Sequence, residues 1–160
     1  MIYGDARVFD FARIYENSWV LGDAQICANA RIYGNARING DTMVGGMAMV
    51  CGNTKIFGNA NVYGYARVSG DARLYGNAKI CDTADYICFQ GLGSENRNTT
   101  FFKCQDGHVH VDCGCFAGTI DEFVQQVKKT HEDNKFAREY IACVDVVKIH
   151  FSENGEPDGR

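Results

Sequence analysis

All four histidines and five of the eight cysteines lie after residue 87. Cys104, His108, His110, Cys113 and Cys115 are residue types that hold zinc, which takes four thiolate, imidazole or carboxylate ligands converging at about 2.0–2.3 Å. Their spacing argues the other way. Asp106-Gly107 reads as a two-residue hairpin turn that sets Cys104 opposite Val109. Cys113 then lies four residues further along, roughly 13 Å away at about 3.3 Å per residue. Cys113-Gly-Cys115 also lacks the two-residue gap of a zinc knuckle. The expectation is therefore no metal and no cofactor, with reduced cysteines buried as small hydrophobes, zinc on these residues standing as the alternative. A nucleophilic Cys115 assisted by His108 or His131 has the right atoms but no local signature, so no catalytic residue is assigned.

A second set of candidates is periodic. Arg13, Arg31 and Arg67 fall at multiples of eighteen residues, with Met49 at the one intervening place. Two residues before each of these stand Phe11, Asn29, Met47 and Tyr65, and Tyr63 lies two residues before Tyr65. Guanidinium groups fork onto phosphate and rings stack on bases, so this pattern suits a nucleotide-like anion.

The element that positions them is a repeat. From Tyr3 to Tyr86 the chain divides without insertion into fourteen hexads of the form x-G-[ND]-A-[RK]-[VI]. The fourth place is always Ala, Ser or Thr, and the sixth is Val, Ile or Leu in every hexad but the last, which ends at Tyr86. Such spacing does not supply the 3.6-residue apolar period of an α-helix. The small residue and the aliphatic two places later point to one side of a short strand, and the residue between them points to solvent. Glycine followed by Asn or Asp supplies each bend. Eighteen glycines with a single proline fit this scheme, because stacked rungs need backbone donors throughout.

The hexads resemble those of the hexapeptide-repeat left-handed β-helix proteins, typified by trimeric acyltransferases, with Ile32 four before Ala36 and Val68 four before Ala72. The GNARV-type repeats are similar to those of bacterial and phage proteins. The resemblance covers residues 3–86 and implies three hexads per triangular coil, hence about 4.7 coils and a prism about 22 Å long. It also implies homotrimers that bind ligands in clefts between prisms. Stacked in threes, the hexads place Arg13, Arg31, Met49 and Arg67 on one face, with Phe11, Met47 and Tyr65 at bends where the other faces hold Asn or Asp, and Tyr63 at a first place. Such a face meets something: the C-terminal domain, a trimer axis or a ligand.

The expected architecture is mainly β, a left-handed parallel β-helix over 1–90, a linker at 91–98, a small ββαα appendage over 99–151 and a disordered acidic tail from 152 to 160. In the appendage Phe102 and Cys104 share a face with Val109, Val111 and Cys113. Thr119 to Glu122 is a capping box that opens a helix to about His131. A second helix runs from about Asn134 to Phe151, with Phe136, Tyr140, Ile141, Val144 and Val147 inward.

A net charge of −4 speaks against a DNA- or RNA-binding surface. No apolar run reaches a membrane span and no signal peptide opens the chain, so the protein is expected in the cytoplasm, of a host cell if phage-encoded. The resemblance would imply acyl transfer, but that chemistry needs a general base and the repeat region has no histidine. The reading is a non-enzymatic binding protein, of phage accessory type, that sequesters a nucleotide-like ligand or blocks a host defence protein. A structural trimerisation scaffold and an acyltransferase-like enzyme are the alternatives.

Overall fold

The structure is a computed structural model that describes residues 1–152. The part of the expected acidic tail from residue 153 on lies outside the described residues. Thirteen two-residue strands follow at six-residue intervals: β1 (Arg7–Val8), β2 (Arg13–Ile14), β3 (Trp19–Val20), β4 (Gln25–Ile26), β5 (Arg31–Ile32), β6 (Arg37–Ile38), β7 (Met43–Val44), β8 (Met49–Val50), β9 (Lys55–Ile56), β10 (Asn61–Val62), β11 (Arg67–Val68), β12 (Arg73–Leu74) and β13 (Lys79–Ile80). Strands three apart pair in parallel with an eighteen-residue offset, as in Arg7↔Gln25 and Arg13↔Arg31. Three sheets result, β1-β4-β7-β10-β13, β2-β5-β8-β11 and β3-β6-β9-β12, which wrap a parallel β-solenoid of about four coils.

The interior follows from the hexad. Every alanine of the fourth place from Ala24 to Ala78 and every aliphatic of the sixth from Val20 to Ile80 is fully buried. Ser18, Thr42 and Thr54 replace alanine there without an orphaned hydroxyl, each donating to the carbonyl three residues back at 2.7 Å. The second place takes a left-handed backbone even where it is not glycine, as at Asp10 (φ 58°), Glu16 (59°) and Ala28 (56°). Asp10 and Glu16 use the position well: their carboxylates accept the N–H of Ala28 (3.1 Å) and Gly34 (2.7 Å) one coil on.

The hexad pattern ends one unit early. In the fourteenth hexad Asp82 caps a 3-10 turn at Thr83–Asp85, and Tyr86 opens a longer strand. That strand, β14 (Tyr86–Leu92), begins an antiparallel meander with β15 (Arg97–Lys103), β16 (Val109–Cys113) and β17 (Phe116–Thr119). Four strands therefore precede the helices, where the sequence reading had two. Residues 91–98, expected as a linker, are a hairpin: β14 runs through Leu92, a turn follows, and Arg97 already pairs with Leu92. The helices fall where the caps place them, α1 (Ile120–His131) with Thr119 and Glu122 in a reciprocal capping box, and α2 (Lys135–Phe151) capped by Asn134. Tyr140, Val144 and Val147 are buried, joined by Ala137, whereas Phe136 and Ile141 are half-buried.

The β15–β16 register differs by one residue from the expected one. Lys103 pairs with Val109 and Phe101 with Val111, and the Cys104 N–H donates to His108 O. The loop is thus Gln105-Asp106-Gly107, three residues long, with the left-handed place filled by Gly107 at φ 83°. Because strand side chains alternate, one step of register exchanges the faces. Phe101, Val111 and Cys113 face the helices, and Phe102 and Cys104 join the solenoid core.

The meander closes the C-terminal end of the solenoid, whose last rungs would otherwise expose unpaired strand edges. Cys104 bridges Ala78, the Thr100 hydroxyl accepts the Arg73 N–H (3.1 Å), and Phe102 meets Tyr75 edge-on at 5.1 Å. Asp85 ties the junction, accepting the N–H groups of Cys81 and Asp82 at 2.9 Å each and pairing with Lys103 at 2.9 Å. Burial would raise the Asp85 carboxyl, but these donors, Lys103 foremost, prevail and draw it down to about 2. No helix among the described residues is long and apolar enough to cross a membrane.

Candidate functional site

The face formed by β2, β5, β8 and β11 carries the candidate residues. Alternation along each strand turns the sixth-place aliphatic inward and the fifth-place side chain outward, so Arg13, Arg31, Met49 and Arg67 form one column in register. Adjacent rungs lie about 4.8 Å apart. The bend residues are held by ladder bonds, Phe11 N–H to Ala28 O at 3.0 Å and Met47 N–H to Gly64 O at 2.8 Å. A backbone so fixed leaves Phe11 78 % and Tyr65 74 % exposed. Phe9, Met47 and Tyr63 are exposed as well, and Met49 is half-buried.

All eight candidates, Phe11, Arg13, Arg31, Met47, Met49, Tyr63, Tyr65 and Arg67, thus project from one side of the solenoid or its bordering bends. The C-terminal domain does not cover them; its β15 packs on β12 and β13 at the end of the solenoid instead. Arg13 stacks directly on Arg31, and among the described residues neither these two nor Arg67 pairs with a carboxylate. Like charges on adjacent rungs repel, so the column is electrostatically uncompensated within the chain. At the neighbouring corner Tyr15 and Tyr33 stack with centroids 5.2 Å apart and planes 5° from parallel.

The cysteines and histidines divide between two places. Cys113 lies on the helix side, where it accepts a hydrogen bond from Thr99 Oγ1 at 3.1 Å. Cys104 lies on the solenoid side, 6 % exposed, and burial, with Asp106 adding to it, pushes its thiol up to about 12. Cys113 and Cys104 are therefore parted by the sheet itself. Cys115 and His131 both border a cavity of about 420 Å³ between the sheet and α1, floored by Phe123, Val127 and Tyr140. That cavity escapes a reading of the sequence, because its walls come from four separated segments and share no period.

A second polar feature lies on the face of β3, β6, β9 and β12. Asn35, Asn53 and Asp71 form a hydrogen-bonded ladder at 3.1 and 3.0 Å, beside Arg37 and Arg73, whose guanidiniums lie over Trp19 and Phe57. Each of these two cations thus has an aromatic ring of its own chain beneath it. Beneath Arg73, Asp112 is 5 % exposed, and burial raises its carboxyl even with Arg73 Nε 3.4 Å away.

A family model for the YdcK beta solenoid repeat matches residues 30–46, just under one coil. No curated protein and no solved structure is significantly similar to the chain. The matched stretch and the eighteen-residue, three-sided coil fit a hexapeptide-repeat β-solenoid.

Proposed function

We propose that this hexapeptide-repeat β-solenoid is a non-enzymatic binding protein. Its arginine and aromatic face takes a nucleotide-like anion in clefts between the subunits of a homotrimer. The observation that carries the reading is the column in which Arg13 lies on Arg31, with Arg67 two rungs beyond, exposed and without carboxylate partners among the described residues. A phosphate forked by two guanidiniums offsets their repulsion, and Phe11, Met47 and Tyr65 offer apolar surface to a base. All histidines stand at residue 108 or later, so the face carries no imidazole base, which favours binding over acyl transfer. Sequestration of a nucleotide signal by a phage-type accessory protein is the use such a site suits.

The test is native mass measurement, followed by purification from the native source, denaturation and mass spectrometry of what is released. The expected result is an assembly of three 17.7-kDa chains that releases a nucleotide in stoichiometric amount. Release should be lost in Arg31→Ala and Arg67→Ala. A monomer, or a trimer that releases no small molecule and instead retains a host protein through Phe11 and Tyr65, would overturn the nucleotide reading. Turnover of acetyl-CoA abolished by His108→Ala or His131→Ala would overturn the non-enzymatic one.

A further inference from the structure

The three-residue β15–β16 loop brings together a group that the expected register kept apart. The Cys104 thiol, an Asp106 carboxylate oxygen and a ring nitrogen of His110 all lie within 4.8 Å of one another. His110 Nε2 is 3.1 Å from Asp106 Oδ2. We propose that these three side chains form a zinc site, with water in the fourth position, at the junction of the solenoid and its cap.

Each ligand is placed by the fold. Cys104 and His108 close the hairpin through the Cys104 N–H to His108 O bond at 2.9 Å, and the Gly107 N–H returns to Cys104 O at 3.1 Å. His110 pairs with Phe102, two residues before Cys104, and so sits diagonally from Cys104 on the same face. Asp106 spends Oδ1 on the His108 N–H at 2.8 Å, which fixes the carboxylate and leaves Oδ2 turned to His110. From below, the loop is pinned to the solenoid by the Ala78–Cys104 bridge and by Gln105, whose N–H donates to Asn77 O at 2.9 Å and whose side chain donates to Asn59 O at 3.3 Å. Ligands held by a rigid scaffold on two sides are what a metal site requires.

The donor set selects the metal. One sulfur, one imidazole nitrogen and one carboxylate oxygen match zinc, whereas calcium and magnesium take oxygen alone. Tetrahedral zinc at about 2.0–2.3 Å from each ligand needs ligand atoms about 3.3–3.8 Å apart. Asp106 and His110 are already 3.1 Å apart, so the contraction of up to about 1 Å is toward Cys104, supplied by small side-chain rotations of all three residues. The buried Cys104 thiol is unpaired with another cysteine, and the Asp106–His110 contact alone gives no reason for a sulfur beside it. On binding, zinc takes the sulfur as thiolate and the thiol proton passes to solvent. The metal would then join the hairpin loop to the strand that closes the solenoid.

Cobalt(II) titrated into the reduced, chelator-stripped full-length protein tests this. One equivalent should give a near-ultraviolet thiolate-to-cobalt band with visible bands of tetrahedral intensity, displaced by zinc. Cys104→Ser should abolish the thiolate band and Cys115→Ser should keep it. His110→Gln and Asp106→Asn, on the accessible side, should each weaken cobalt binding by at least about tenfold. Absence of the band, its survival in Cys104→Ser, or unchanged affinity in both loop variants would overturn the site. If Cys104→Ser does not fold, the two loop variants decide alone.

Discussion

Gly58 and Gly76 occupy the same corner of the solenoid one coil apart, and replacing each by alanine separates two costs that glycine conceals. Both have left-handed backbones, φ 83° and 58°. Alanine there costs about 1–2 kcal/mol in the folded chain, offset by about 0.4–1 kcal/mol from a less mobile unfolded chain. At Gly76 nothing lies within 4 Å of an added Cβ, so Gly76→Ala should cost only the difference, about 1 kcal/mol. At Gly58 the added Cβ would meet Gly76 N at 2.7 Å and Gly76 O at 3.0 Å, both backbone. Ordinary contact begins near 3.4 Å, so the rungs must part by about 0.7 Å. The bond from Asn59 N–H to Gly76 O is 2.8 Å, and that displacement takes it to about 3.5 Å, well past the roughly 2.7–3.2 Å of a sound N–H···O bond. Losing a ladder bond and its partner's satisfaction adds about 1–3 kcal/mol. Gly58→Ala should therefore cost about 3 kcal/mol in all, or roughly 6–12 °C of melting temperature for a chain of this size. Urea and thermal unfolding followed by circular dichroism measure both variants. Equal losses, or Gly76→Ala the worse, would refute the view that close stacking of corners dictates glycine here.

Other outcomes follow from single contacts. Ala28→Gly should stabilise by about 0.5–1 kcal/mol, since Ala28 holds φ 56° without the carboxylate bond that rewards Asp10, and a lower melting temperature would contradict this. The Asp85 carboxyl is lowered from 3.8 to about 2 in the fold, so its contribution of about 2 kcal/mol is present above pH 4 and lost as pH falls toward 2. In Lys103→Met the acid unfolding midpoint should therefore move to higher pH, and an unmoved midpoint would remove Lys103 from the account. Asp112 is the opposite case: burial raises its carboxyl, so ionisation weakens the fold as pH rises through that value. Asp112→Asn should be neutral or stabilising at pH 7, measured by urea unfolding, and a clear loss would mean that the Arg73 pair outweighs the burial.

The solenoid is legible because one interior rule repeats thirteen times, and an error at one hexad is corrected by the next. The cap obeys no such rule. Tyr86 satisfies the sixth place of a hexad poorly and the start of a strand well, and only the open end of the solenoid decides between them. Asp106-Gly107 is compatible with a two- or a three-residue loop, and the choice sends either Phe101 or Phe102 to the solenoid. That single step also hides the Cys104–Asp106–His110 group, since Asp106 counts merely as a turn residue until the loop length is known. The arginine column was readable from its eighteen-residue spacing, whereas its exposure depended on where the cap docks.

The three-sided coil also constrains how such a chain can change length. Duplicating one hexad leaves every alanine and aliphatic in its proper place, so the interior accepts it. Yet everything beyond the insertion turns by one third of a revolution, and Arg67 would no longer stand above Arg31. Only whole coils of eighteen residues keep both interior and surface in phase. The protein thus has two alphabets at different word lengths, six residues for the interior and eighteen for the columns on its surface.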